Sequence, residues 1–271
     1  MRLMGILNVT PDSFFDGGKY AGKNSAVKRA AQMLEEGADL IDVGGESTRP
    51  GGKPVSLDEE LKRVVPVVRE LVRRFPKVQV SVDTQKSEVA IQSLNEGACM
   101  LNDVSAFRSD EERMGRALRE YRPQVVLMHM QGNPKTMQKA PRYKNAVSDV
   151  KAFLAGRVRW AAAKGVPKKK IWIDPGIGFG KTLRHNLELL GALREFTALG
   201  CPVLVGCSRK SFIGVLSGGK KSPAPAGERL EGSLAAACWC ALQGASALRV
   251  HDVGATRKAL LTLDAIRQWT W

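Results

Sequence analysis

The chain has 271 residues, 44% of them hydrophobic, and carries 42 basic against 27 acidic residues, a net charge of +15. That length and core content suit one α/β domain; no run nears the ~18 apolar residues of a membrane span, and residues 1–9 are too short for a signal peptide, so a cytoplasmic protein is expected. The basic residues are spread out, without helix-turn-helix or RNA-binding aromatic patterns, which argues against nucleic-acid or membrane partners and for a solvated surface that attracts an anionic small substrate.

Eight short apolar runs alternate with helical patterns. "LMGIL" (3–7) comes first, then an irregular stretch over 10–24 and a helix over 25–36. "DLIDV" (39–43) is followed by an irregular stretch over 44–57 and a helix over 58–75, opened by a Ser56/Glu59 capping-box pattern. "VQVSV" (78–82) precedes a helix over 86–95, and Gly37 and Gly97 stand where a C′ glycine ends a helix. "ACML" (98–101) and "VVLM" (125–128) come next, then an irregular stretch over 130–144 and a helix over 145–164. "IWI" (171–173), "PVLVG" (202–206) and "ALRV" (247–250) complete the set, with an irregular stretch over 217–227 and a helix over 228–243 between the last two. Continuous apolar runs fit strands buried on both faces of a parallel sheet. Eight strand–helix units predict a single-domain (β/α)8 TIM barrel over 1–271, with mobile loops after strands 1 and 2. A doubly wound open sheet is the alternative.

In such a barrel the loops after the strands build the active site. Polar residues stand at or near almost every strand end: Asn8, Asp42 and Glu46, Asp83, Asn102 and Asp103, His129, Asp174, Ser208 to Lys210, and Arg249 to Asp252. Singly each reads as a turn or cap residue; the fold gathers them at one mouth. Buried acceptors such as Asp83, Asn102 and Asp174 suit a flat heterocycle rich in N–H donors. Arg249 can stack on a ring or bind phosphate.

The run "DPGIGFGKT" (174–182) resembles a phosphate loop, but Pro175 occupies its first glycine position, and the dinucleotide pattern fails at Lys181. It reads as the turn after strand six, with Lys181 expected to be solvated. The five cysteines (99, 201, 207, 238, 240) read as free thiols, and His129, His185 and His251 lack zinc-ligand spacing. His185 reads as a surface residue at a helix start.

The segments "GILNVTPDSFFDGG", "GADLIDVGGESTRPGG", "VSVDT", "LNDVSAF", "LMHMQGNPKTMQ", "IDPGIGFGKT", "GCSRKSFIG" and "RVHDV" together resemble the dihydropteroate synthase family. The resemblance runs from Met4 to about Ala265 and implies a TIM barrel. Pterin-binding methyltransferases share the barrel and the pterin-reading acids but do not need both "DSFFDGG" and "SRKSF"; a non-catalytic paralogue is the other alternative. Many family members carry a segment ahead of strand one, where this sequence starts at Met1.

The resemblance implies condensation of 6-hydroxymethyl-7,8-dihydropterin diphosphate with p-aminobenzoate to 7,8-dihydropteroate and pyrophosphate, assisted by Mg2+. It implies that Asp83, Asn102 and Asp174 read the pterin with Lys210 and Arg249. Phe14, Thr48, Arg49, Pro50, Phe179 and Ser211 would wall the p-aminobenzoate site. Asn8, Thr48, Arg249 and His251 would hold the diphosphate, with Asn8 also a Mg2+ ligand. Asp16, Lys210, Arg249 and His251 are the implied catalytic residues, Asp16 as a loop carboxylate that steadies a cation. A homodimer packed through outer helices and inhibition by sulfonamides are further implications, since "ESTRPGG" follows the ordinary family pattern.

Overall fold

The computed structural model describes residues 1–10, 19–47 and 54–269. Among these residues, strands and helices alternate from end to end. The first half runs β1 (Arg2–Asn8), α1 (Lys19–Glu35), β2 (Leu40–Gly44), α2 (Leu57–Arg74), β3 (Gln79–Asp83), α3 (Ser87–Asn95), β4 (Met100–Asp103), α4 (Glu111–Tyr121) and β5 (Gln124–Met128). The second half runs α5 (Ala146–Ala163), β6 (Ile171–Asp174), α6 (Leu183–Gly191), α7 (Arg194–Thr197), β7 (Leu204–Val205), α8 (Ser211–Gly218), α9 (Leu230–Leu242), β8 (Ala247–Val250) and α10 (Val253–Gln268).

All paired strands are parallel, in the order β6-β5-β4-β3-β2-β1-β8-β7. A bridge between Ile173 and Val203, with Ile173 N donating to Pro202 O at 2.9 Å, joins the two ends and closes the barrel. The eight-stranded barrel expected from the sequence is the observed fold. β7 is shorter than the 202–206 run: Pro202 has no N–H for a ladder, and beyond Val205 the chain leaves for the turn that holds Arg209 at φ 56°. α1 spans Lys19–Glu35 and so starts before the helix expected over 25–36, because its opening residues carry no large aliphatic side chain to mark the helical period.

Side-chain alternation sorts the apolar residues into two bodies. Outward-facing Leu3, Ile41, Val80, Val82, Leu101, Val125, Ile173 and Val205 pack with the helices in the main core. Inward-facing Met4, Leu40, Met100, Val126, Trp172, Leu204 and Ala247 fill the barrel as a separate cluster. This plug floors the mouth, so groups one or two residues nearer the strand ends sit on an apolar, water-poor base.

Local signals set the helix ends. Ser56 Oγ accepts from Glu59 N at 3.3 Å, and Asp58, Glu59 and Glu60 place negative charge on the first turn of α2. Gly37 and Gly97 take φ 99° and 96° just past α1 and α3, as C′ glycines do. Thr182 and His185 form a reciprocal cap on α6, which puts His185 at the expected helix start. No helix of the described residues is long and apolar enough to cross a membrane. The cysteines are all free, three buried and two half-buried.

Candidate active site

Strand register decides which side chains meet. Gly44, Asp83 and Asn102 stand level across β2, β3 and β4, and Asp174 stands level with Met128 across β5 and β6. Asp42 points the same way as Asp83 from one layer deeper, level with Ser81 and Ile6. Arg249 starts level with Met4, and its long side chain climbs towards the mouth.

The result is a buried charge cluster. Arg249 Nε donates to Asp42 Oδ2 at 2.6 Å, and its Nη2 donates to Asp83 Oδ2 at 2.8 Å. Asn102 Nδ2 donates to the same Asp42 oxygen at 3.0 Å. Burial pushes the Asp83 carboxyl up to about 7; the Arg249 charge opposes the shift and Asp42 adds to it. Burial works against the Arg249 charge too, but Asp42 and Asp83 outweigh it and raise its pKa.

Asp174 is buried beside this cluster. Its carboxyl is raised by burial, with Lys210 opposing, and its Oδ1 accepts from Gly176 N at 2.7 Å. Lys210 Nζ donates to Ile177 O and lies 4.4 Å from the centre of the Phe179 ring. Burial lowers the Lys210 ammonium to about 8, against the pull of Asp174. Phe179 packs on Val104, Met128, Met130 and Met137, an apolar wall beside the acids. Ser211 opens α8 immediately after Lys210 and is exposed. Asp103, next to Asn102, is spent on structure: it accepts from Ser105 N and Phe107 N at 2.6 and 3.0 Å and fixes the turn after β4.

A second set lies between β1 and β8. Asn8, Arg29, Arg209 and His251 line a cleft of about 360 Å³. Ser208 Oγ accepts from His251 N at 3.2 Å and lies 3.0 Å from its Nδ1. If that hydroxyl donates to Nδ1, the ring proton sits on Nε2, a donor suited to an anion. Arg29 Nη2 holds the His251 carbonyl at 3.1 Å. Arg209 is committed to Asp252 through Nε at 2.8 Å and through Nη2. A further cleft of about 430 Å³ includes Glu46, Lys86 and Arg113 but none of Asp83, Asn102, Asp174, Lys210 and Arg249; Lys86 is paired with Glu46 and Glu60, and Arg113 with Glu88.

The expectation for Lys181 is overturned. It is buried, and its Nζ lies 3.0 Å from His129 Nδ1 and donates to His129 O and Phe179 O at 3.3 and 2.9 Å. The strand-six turn folds back onto the end of β5, so three acceptors replace water. Burial lowers the Lys181 pKa well below its usual value, and burial with the Lys181 charge pushes His129 down to about 2. The packing is close enough to require glycine. A Cβ at Gly176, φ 69°, would stand 1.9 Å from the His129 carbonyl oxygen.

The structure thus brings together Asp83, Asn102, Asp174, Lys210, Arg249 and Phe179, and places Asn8 and His251 on one adjoining cleft. Phe14, Asp16, Thr48, Arg49 and Pro50, with most of the two loops expected to be mobile, lie outside the described residues. Sequence reasoning noted Asp42 but gave it no role. The available signal was a carboxylate inside a buried run, which must find a cationic or N–H partner.

Comparison with known proteins places this arrangement. The profile of the family described as "Pterin binding enzyme" matches residues 4–251. The dihydropteroate synthase of Escherichia coli (strain K12) is 48% identical over 264 residues, covering 97% of this chain and 91% of that one. A crystal structure of the Yersinia pestis dihydropteroate synthase with a sulfonamide drug complex superposes with a TM-score of 0.90 at 45% identity, covering 99% of this chain and 94% of that one. The Xanthomonas albilineans dihydropteroate synthase in complex with 7,8-dihydropteroate gives 0.88 at 42% identity, with the same coverage.

Proposed function

We infer the function from one premise: the chain belongs to the pterin binding enzymes, and within them to the dihydropteroate synthases. Its activity is that of a transferase of folate biosynthesis that forms 7,8-dihydropteroate. We propose that the substrates are 6-hydroxymethyl-7,8-dihydropterin diphosphate and p-aminobenzoate, and that the roles fall as follows.

Asp83, Asn102 and Asp174 accept the N–H donors of the pterin. One observation carries this reading: these acceptors converge over an apolar floor, with the Arg249 and Lys210 cations beside them. Arg249 packs over the pterin and, with His251 and Asn8, receives the diphosphate. Ionisation breaks the bond from the pterin methylene carbon to the diphosphate oxygen, and the electron pair leaves on the diphosphate. Arg249 stabilises that growing charge. Asp16 opposes the positive charge left on carbon. The aniline nitrogen, held against Phe179 and Lys210 with Phe14, Thr48, Arg49, Pro50 and Ser211, forms the C–N bond and gives its proton to solvent. It needs positioning more than activation, since the cation is a strong electrophile.

For Mg2+, the donor set is an oxygen site shared with substrate. The described residues hold no group of three His, Cys, Asp or Glu side chains able to bind a metal. Asn8 offers one hard oxygen, which fits an ion carried mainly by phosphate oxygens. When bound, the ion offsets charge on the leaving group. Exposed Trp239 and Leu242 on α9 and Leu261 and Ile266 on α10 supply apolar surface for a homodimer, and we assign the protein to the cytoplasm. Sulfonamides, seen with the Yersinia pestis relative, occupy the p-aminobenzoate site.

The test is a coupled assay of dihydropteroate and pyrophosphate from the two substrates, with and without Mg2+. Equal, Mg2+-dependent yields that a sulfonamide suppresses support the reading. Turnover unaffected by saturating sulfonamide contradicts the inhibitor site, and turnover unaffected by chelator contradicts the metal.

A further inference from the structure

We propose that Asp42 is a positioning residue for the pterin site: its single oxygen Oδ2 fixes both the orientation of the Asn102 amide and the placement of the Arg249 guanidinium. The proposal rests on the pterin-site reading above.

Asp42 is fully buried at the centre of β2 and lies one layer below the strand ends. Its Oδ2 accepts from Asn102 Nδ2 at 3.0 Å and from Arg249 Nε at 2.6 Å. A carboxylate can only accept, so the amide atom facing it must be the NH2. This decides the Asn102 flip on chemical grounds. Asn102 then keeps Oδ1, an acceptor, and one Nδ2 hydrogen, a donor, for a ring edge. Flipped the other way, Asn102 would set two acceptors against each other in a dry site.

Arg249 is fixed by the same atom. Its Nε is held by Asp42 and its Nη2 by Asp83, so the planar group is clamped from two strands. The plane of the guanidinium governs whether it lies along a flat ring and where it meets an anion. Asp42 Oδ1 has no hydrogen-bond partner among the described residues. A buried carboxylate oxygen without partners destabilises a fold, so packing alone does not account for an aspartate here. Its value lies in what the other oxygen orients.

The charge of Asp42 also acts on Asp83. Arg249, Lys210, Asp42, Asp103 and Glu60 bear on the Asp83 carboxyl; the two cations lower its pKa and the three carboxylates raise it. Removing the Asp42 charge therefore lowers the pH at which Asp83 ionises.

The test compares the parent enzyme with Asp42→Ala and Asp42→Asn in steady-state assays that vary each substrate, at several pH values. Misplacement of about an ångström is worth about 100-fold in rate, so Asp42→Ala is expected to lose about 100-fold in kcat/KM for the pterin diphosphate. Its KM for p-aminobenzoate should stay within about twofold, since Phe179 and Lys210 do not touch Asp42. Asp42→Asn keeps the shape and guards against a misfolded alanine variant; it is expected to show a smaller loss and an acid limb of kcat/KM displaced to lower pH. Parent-like kinetics and an unmoved acid limb in both variants would overturn the proposal. So would equal impairment towards both substrates with a collapsed Tm, the mark of a general fold defect. If the parent itself formed no dihydropteroate, the pterin-site reading would fail first and take this proposal with it.

Discussion

Replacing Gly176 by alanine tests the turn that carries Asp174. Gly176 has φ 69°, and an added Cβ would stand 1.9 Å from the His129 carbonyl oxygen and 3.0 Å from its carbon. Both atoms are backbone, tied down because His129 N donates to Asp174 O at 3.0 Å. The left-handed conformation costs a non-glycine residue about 1–2 kcal/mol, and forced overpacking costs about 1–3 kcal/mol more. The sum, about 2–5 kcal/mol, should lower Tm by at least about 4 °C in a chain of this size. The shift should also pull the Gly176 N–H away from Asp174 Oδ1, now 2.7 Å distant, and weaken pterin binding. Gly191→Ala is the control: Gly191 ends α6, and its added Cβ would meet nothing within 4 Å. Scanning calorimetry of both variants is the assay. A Gly176→Ala melt within 1 °C of the parent, on the scale set here by about 2–4 °C per kcal/mol, would refute the reasoning.

Other outcomes follow from the charge cluster. Arg249→Met leaves Asp42 and Asp83 without their cation, and removing one partner from a buried ion pair costs about 3–5 kcal/mol. Because Asp83 already has a pKa of about 7, above its unfolded value, the native state binds its proton more readily than the unfolded chain does. Its ionisation thus removes stability as pH rises towards and through 7, and the Arg249→Met defect in urea melts should be larger at pH 8 than at pH 5; equal defects would contradict this. The kcat/KM profile should be bell-shaped, falling below about 7 as Asp83 protonates and above about 8 as Lys210 loses its proton. A profile flat from mildly acid to strongly basic pH would count against both assignments. Lys181→Met leaves the His129 and Phe179 carbonyls short of a donor, at about 1–3 kcal/mol. It should also raise the His129 pKa from about 2 by removing a neighbouring charge, which imidazole proton NMR against pH can follow.

The barrel was legible because its strands are buried on both faces and so appear as continuous apolar runs. Strand ends are where such runs stop, so Asp83, Asn102 and Asp174 could be placed at one mouth without knowing a single contact. Asp42 resisted the same logic because it interrupts its run from inside, where one residue of register separates a mouth group from a core group. Lys181 departs from its expected solvation for a different reason. Its type and its glycine-rich surroundings suggest a solvated turn, and only the fold-back of that turn onto His129 supplies the three acceptors that keep it buried. The short β7 follows from Pro202, whose missing N–H ends the ladder despite its apolar neighbours.

The central claim is that Asp83, Asn102 and Asp174 read the pterin ring. Calorimetric titration of a 6-hydroxymethylpterin into the parent and into Asp174→Asn measures it directly. The parent should bind, and the variant should bind about 10–100-fold more weakly, as expected when a charge-assisted hydrogen bond of about 1.5–3 kcal/mol is lost. Equal affinities would contradict the account.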